Sequence, residues 1–134
     1  MPISATYDRL REVALTEFDD IVVRAEILRL PTADPLKLRL NLLDDSFLDV
    51  YISVTGRYSY HWERRHIDKG DMYRYDNAPH KAWRRLATFP RHFHDGHEDN
   101  VVESHLSSVP EEALREVCAF AQQKLRREAK QEDN

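Results

Sequence analysis

The stretch from Leu36 to Val54, with the sequence LKLRLNLLDDSFLDVYISV, decides the fold. Leucine occupies every second position from Leu36 to Leu42, and charged or amide side chains stand between the leucines. After the polar turn at residues 44–46, apolar residues again occupy every second position up to Val54. Side chains of a β-strand point alternately to its two faces, so this period predicts two strands with one buried face each. The short polar turn between them predicts an antiparallel hairpin.

Further strands are predicted on both sides of this hairpin. Residues 21–30 are rich in β-branched and apolar side chains, and residues 57–64 and 72–76 alternate. These segments predict a meander of about five antiparallel strands. Residues 88–94 can add a sixth strand at an edge, because Pro90 is tolerated only there.

Helical spacing of apolar residues is found near both ends of the chain. The first helix is predicted to begin near Ser4, and its buried stripe is Tyr7, Leu10, Ala14 and Phe18. The second is predicted to begin near Ser108, and its buried stripe is Leu114, Val117, Cys118, Ala121 and Leu125. The predicted fold class is α+β: an antiparallel five- to six-stranded meander sheet with an N-terminal helix and a C-terminal helix. We expect one domain over residues 1–134, with residues 126–134 as a frayed tail.

Composition excludes several functional classes. The single cysteine, Cys118, excludes an internal disulfide framework and a cysteine-rich zinc site. Only three glycines are present, and none forms a phosphate-cradling loop, a dinucleotide fingerprint or a Gly-x-Ser-x-Gly elbow. No apolar run is long enough to span a bilayer and no signal-peptide pattern is present, so we expect no membrane association and a cytoplasmic location.

Residues 56–97 are the predicted functional segment. They contain six of the seven histidines and both tryptophans. The part from Arg57 to His94 carries nine Lys or Arg against four Asp or Glu, although the whole chain has a net charge of −4. Side chains that transfer protons or stack on bases are therefore concentrated in a locally basic segment of an acidic protein. This basic segment can still contact a few phosphates.

Within this segment, the alternation separates an aromatic face from a polar one. Tyr58, Tyr60 and Trp62 share a face that either stacks on unpaired bases or packs beneath a helix. His61 lies on the opposite face beside Arg57, which suits either proton transfer near a phosphate or a solvated surface position.

The remaining histidines offer acid/base or metal chemistry. His80 follows Asp76 by four residues, and this carboxylate either orients the imidazole or makes turn hydrogen bonds. If residues 91–94 are extended, His92 and His94 leave the same face. Such a pair can act in acid/base catalysis or phosphate contact, can be structural, or can ligate a metal with His80, Asp95 or His97 as further ligands.

Three motifs together resemble one known family. They are Gly56-Arg57-Tyr58-Ser59-Tyr60-His61, Tyr75-Asp76-Asn77-Ala78-Pro79-His80 and Phe89-Pro90-Arg91-His92-Phe93-His94. The combination resembles the TumE-like toxins of prokaryotic toxin–antitoxin systems. The family usually has a further histidine at the positions of Lys81 and Arg91. The resemblance implies a small cytoplasmic growth-arresting protein, with a cognate antitoxin that is often a helix-turn-helix protein as its partner.

We therefore predict a toxin that acts on RNA as a metal-independent endoribonuclease without a cofactor. Cleavage of this kind needs a base, an acid and cations for the charged intermediate. The predicted catalytic residues are His61, His80, His92, His94, Tyr60 and Asp76, and the predicted nucleic-acid-binding residues are Arg57, Arg74 and Arg91. One alternative is a non-catalytic module whose basic face docks RNA or an acidic protein. Another is a metal-dependent hydrolase with His92, His94 and His97 as ligands.

Overall fold

The computed structural model describes residues 2–67 and 70–132, and over this range seven antiparallel strands lie side by side in chain order. The strands are β1 (Val22–Arg29), β2 (Pro35–Leu42), β3 (Phe47–Ile52), β4 (Tyr58–Glu63), β5 (Met72–Asp76), β6 (His92–Asp95) and β7 (Val101–Glu103). Helix α1 (Ile3–Glu17) precedes the sheet and α2 (Pro110–Glu132) follows it. The predicted α+β meander is confirmed, although the described residues form seven strands rather than five or six.

The alternating leucines pair across the hairpin as the sequence predicts. Leu38 lies opposite Val50 and Leu40 opposite Leu48, and all four are fully buried. The helices α1 and α2 cover this face, and the predicted stripes of both helices lie in the core. Among the helices of the described residues, none has the length and apolarity required to cross a membrane.

The aromatic face predicted on β4 belongs to this core. Tyr60 is 3% exposed and Trp62 is 1% exposed. Trp62 packs edge-on against Phe120 of α2, with 6.1 Å between the ring centroids. Of the two roles left open by the sequence, the structure shows packing beneath a helix. Burial also raises the pKa of Tyr60, so its hydroxyl stays protonated.

The other face of the sheet is polar, and we call it the polar face. Because side chains alternate along each strand, the buried aromatic residues of β4 leave His61 on the polar face. The segment between β5 and β6, called here the β5–β6 loop (residues 77–91), contains a short 3-10 helix, Lys81–Trp83. The Trp83 ring lies 6.0 Å from the His92 ring and 5.9 Å from the His94 ring, so this loop covers part of the polar face.

A buried arginine joins the sheet to α2. Arg64, 3% exposed, donates hydrogen bonds to Asp44 (3.1 Å), Asp71 (3.1 Å) and Glu128 (2.7 Å). Its guanidinium also lies 4.8 Å from the centroid of the Trp62 ring. The tail predicted to fray from residue 126 is helical as far as Glu132, and residues 133 and 134 lie outside the described range.

Candidate functional site

The register of three strands brings the predicted histidines together. His61 of β4 lies opposite Arg74 of β5, which in turn lies opposite His94 of β6. Asp76 of β5 lies opposite His92 one step further along. Residues that lie opposite each other on neighbouring strands, or two apart on one strand, point to the same face. The side chains on the polar face are therefore His61, Arg74, Asp76, His92 and His94.

Backbone carbonyls fix the orientation of two of these imidazoles. The Nδ1–H of His92 donates to the Pro90 carbonyl at 2.9 Å, and that of His94 donates to the Glu98 carbonyl at 2.8 Å. A carbonyl oxygen can only accept, so Nδ1 carries hydrogen in both rings. The two Nε2 atoms therefore face inwards, and the ring centroids are 5.0 Å apart.

The two Nε2 atoms have different neighbours. Nε2 of His92 lies 3.3 Å from Asp76 Oδ1, whereas Nε2 of His94 lies 3.5 Å from Nη2 of Arg74. The first contact is a short imidazole–carboxylate separation without hydrogen-bond geometry. The second requires a bare Nε2 on His94, because a guanidinium has no acceptor. The geometry thus places Nε2 of His92 beside an anion and Nε2 of His94 beside a cation.

Arg74 is the central cation of the site. Its Nη1 lies 3.4 Å from Nδ1 of His61, and its Nε lies 3.3 Å from Asp76 Oδ2. This second contact is an ion pair without hydrogen-bond geometry. Over the described part of the chain, Arg74 Nε is the only buried side-chain nitrogen or oxygen without a hydrogen bond.

The environment keeps two of the imidazoles neutral. Desolvation by burial lowers the pKa of His94, and the charge of Arg74 lowers it further. Desolvation also lowers the pKa of His61, whose Nε2 donates to Glu63 Oε1 at 3.0 Å. The hydrogen bonds from Arg65 are the main reason why the pKa of Glu63 falls to about 2, so this acceptor stays ionised.

A pocket of about 390 Å³ lies beside these groups, and we call it the histidine pocket. Its lining contains one arginine, three carboxylates and three histidines, and the residues are Arg74, Asp76, Ala78, His80, Trp83, His92, His94, Glu98 and Asp99. His80 is exposed at the rim, and its Nδ1 accepts a hydrogen bond from the Ala82 amide at 3.1 Å. In neutral His80 the hydrogen is then on Nε2, which can donate to a ligand.

The sequence did not identify Trp83 as a site residue. Its ring covers His92 and His94, which are only 1% and 4% exposed. The available signal was a tryptophan in a short basic segment without apolar periodicity, beside Lys81 and Arg84. That signal is weak, because it does not show which face the loop covers.

Five predicted residues do not line the histidine pocket, and one of them, His61, contacts Arg74 at its edge. Arg57 is exposed in the turn between β3 and β4, and Tyr60 is in the core on the opposite side of the sheet. Arg91 donates to the Leu106 carbonyl. His97 is exposed in the β6–β7 turn, where its Nδ1 accepts from the Asp99 amide.

The structure therefore changes the candidate metal set. In the described residues, the group with ligand geometry is Asp76, His92 and His94, whose ligand atoms all lie within 4.8 Å of one another. Asp76 takes the place that the sequence gave to His97. Asp76 is distant along the chain but adjacent in the sheet, whereas His97 is close along the chain and points elsewhere.

The fold and the pocket define an α+β protein with an antiparallel meander, one helix-covered face and a histidine pocket on the other. A family model described as Toxin TumE matches residues 11–125. The chain therefore belongs to the TumE toxin family. Comparisons with curated proteins and with solved structures found no match. As a member of this family the chain is a toxin component, and membership implies a cognate antitoxin.

Proposed function

We propose that this toxin arrests growth by cleaving RNA in the histidine pocket, with imidazoles as acid and base and without a metal ion. The observation that carries the proposal is the pair His92 and His94, whose Nε2 atoms face one pocket but have opposite partners, a carboxylate and a guanidinium. Cleavage through the 2′-hydroxyl needs one group that accepts a proton and one that donates it.

His94 is the proposed base. Its Nδ1–H is held by the Glu98 carbonyl, and its lowered pKa keeps Nε2 free of hydrogen near neutral pH. The contact with Arg74 is long, at 3.5 Å, so it can be exchanged for a hydrogen bond from the 2′-hydroxyl. His94 then takes the 2′-hydroxyl proton as the oxygen attacks phosphorus.

His92 is the proposed acid. Its Nδ1–H is held by the Pro90 carbonyl, and its Nε2 lies 3.3 Å from Asp76 Oδ1. In this scheme His92 delivers its Nε2 proton to the leaving 5′-oxygen, and the nearby carboxylate balances the charge of the imidazolium. Asp76 is a positioning residue in this scheme.

Arg74 is the proposed anchor for the phosphate. Its guanidinium lies between His61, Asp76 and His94, where the dianionic intermediate would form. A fixed cation at this position supplies the charge stabilisation that a metal ion supplies in other nucleases. His61 positions Arg74, and His80 at the rim donates from Nε2 to a phosphate oxygen.

Access to the two imidazoles requires movement of the β5–β6 loop. Because Trp83 leaves His92 and His94 almost fully covered, an RNA phosphate reaches both Nε2 atoms only after this ring shifts. Arg57 remains a proposed contact for the RNA outside the pocket. Arg91 and Tyr60 are not included in the mechanism, because Arg91 is bound to Leu106 and Tyr60 is buried.

Induced expression without the antitoxin tests the catalytic assignment. His94→Gln, His92→Gln and Arg74→Met should each relieve growth arrest, because loss of an acid or base group costs about 10²- to 10⁴-fold in rate. His97→Gln is the matched control, since His97 is exposed outside the pocket. If folded variants of both His92 and His94 arrest growth as the parent does, the assignment is wrong.

A non-catalytic binding module is the second candidate. The exposed side chains of Lys81, Arg84 and Arg85 on the β5–β6 loop favour it, because they form a basic surface beside the pocket. This candidate predicts that charge neutralisation relieves growth arrest whereas His94→Gln does not. RNA cleavage by the purified chain, lost in His94→Gln, would exclude it.

The finer assignment of the partner is also a proposal. We propose that the toxin acts in the cytoplasm and that its antitoxin is a helix-turn-helix protein encoded beside it. Copurification of the toxin with the product of the adjacent small gene, followed by DNA-binding assays of that product, tests this. Failure of the two proteins to copurify would contradict it.

A further inference from the structure

We propose that Asp76, His92 and His94 form a binding site for a divalent transition-metal ion, and that the ion displaces Arg74 and blocks the metal-independent cleavage proposed above by occupying Nε2 of both imidazoles. The ligand atoms of these residues lie within 4.8 Å of one another. Two imidazoles and one carboxylate are a ligand set typical of zinc and other transition metals, with the remaining positions open to water.

The hydrogen bonds behind the imidazoles support this assignment. Histidine ligands commonly donate the second ring N–H to a backbone carbonyl or a carboxylate, which fixes the tautomer and the ring orientation. His92 donates to the Pro90 carbonyl and His94 to the Glu98 carbonyl in this way. Both Nε2 atoms are therefore presented to the pocket without rearrangement of the rings.

The spacing of the ligand atoms is close to that of an occupied site. Ligands about 2.1 Å from a tetrahedral ion are about 3.4 Å apart. Nε2 of His92 already lies 3.3 Å from Asp76 Oδ1. The other separations, none above 4.8 Å, need to close by at most about 1.4 Å. Asp76 Oδ1 also accepts a hydrogen bond from the Ala78 amide at 2.7 Å, which holds the carboxylate near this position.

Arg74 competes with the metal for the same ligand atoms. Its Nη2 lies 3.5 Å from Nε2 of His94 and its Nε lies 3.3 Å from Asp76. A guanidinium and a divalent cation repel each other at this range, so only one occupies the site. The Arg74 side chain is 27% exposed and can turn outwards to solvent. Removal of its charge should therefore tighten metal binding.

A Co²⁺ titration of the purified full-length chain, followed by visible absorption, tests the proposal without RNA or any activity assay. The chain should bind one Co²⁺ with the intense bands of a low-coordinate site. Loss of a group that only hydrogen-bonds to a metal ligand weakens metal binding by about 10- to 100-fold. His94→Gln removes a ligand itself and should therefore weaken Co²⁺ binding by more than this. His97→Gln should leave the affinity unchanged, and Arg74→Met should tighten it by at least about tenfold.

The contrary outcomes are distinct. Absence of saturable Co²⁺ binding overturns the site, and so does equal weakening by His97→Gln, which would place the ion on surface histidines. Unchanged or weaker binding in Arg74→Met overturns the competition. Circular dichroism and thermal unfolding confirm that each variant is folded. Asp76→Asn, which retains the size of the side chain, provides a second ligand variant if His94→Gln does not fold.

Discussion

Replacement of Arg64 by methionine should destabilise the protein by about 3 kcal/mol. Arg64 is 3% exposed and donates to Asp44, Asp71 and Glu128. Loss of one partner from a buried ion pair costs about 3–5 kcal/mol, because the remaining charges stay desolvated. Glu128 is 37% exposed and regains water, which places the expected cost at the lower end of that range. Methionine retains the packing of the stem on Trp62.

Urea unfolding followed by tryptophan fluorescence measures this loss. Arg126→Met is the control, because the Arg126 side chain is 64% exposed and its partner Asp20 is 43% exposed. The control should cost no more than about 1 kcal/mol. If Arg64→Met is no more destabilising than Arg126→Met, the buried arginine does not join the sheet to α2 as described.

Three further predictions concern the histidine pocket and the core. Burial lowers the pKa of His61 and His94 below 6.5, so the unfolded chain binds protons that the folded chain does not. The free energy of unfolding should thus fall as the pH falls below 6.5, by up to about 1.4 kcal/mol per pH unit for each histidine. Urea unfolding at a series of pH values should show a weaker dependence of this free energy on pH in His94→Gln than in the parent. An equal dependence would contradict the lowered pKa of His94. Trp83→Ala should raise the pKa of His94 in an NMR titration, because the covering ring is removed; an unchanged pKa would refute the shielding. Tyr60→Phe should retain full growth arrest, since Tyr60 is buried; loss of arrest in a folded variant would return its hydroxyl to the mechanism.

The face on which His61 lies, and the sharing of one face by His92 and His94, could be predicted from the sequence, because a strand alternates with a period of two. The alternation of β4 places His61 opposite the buried Tyr60 and Trp62, and the structure agrees. The same rule places Arg91 on the side of Phe93, away from His92. The position of Arg91 on the opposite face from His92 already argued against a role for Arg91 in the pocket. The sequence prediction nevertheless included Arg91 among the phosphate contacts.

The register between β5 and β6 could not be predicted. The β5–β6 loop separates the two strands, and its conformation determines whether Asp76 meets His92 or a different residue. The sequence therefore assigned the third metal ligand by proximity along the chain and selected His97. The position of Trp83 over the imidazoles depends on the same loop, whose residues show neither a helical nor a strand period.

The chemical nature of the RNA ends made by the purified chain in excess chelator tests the central claim most directly. The account predicts cleavage that leaves 2′,3′-cyclic phosphate and 5′-hydroxyl ends, because His94 activates the 2′-hydroxyl of the RNA itself. His94→Gln should lose this cleavage and His97→Gln should retain it. Cleavage that stops in chelator, or that leaves 3′-hydroxyl and 5′-phosphate ends, would contradict the metal-independent acid/base mechanism.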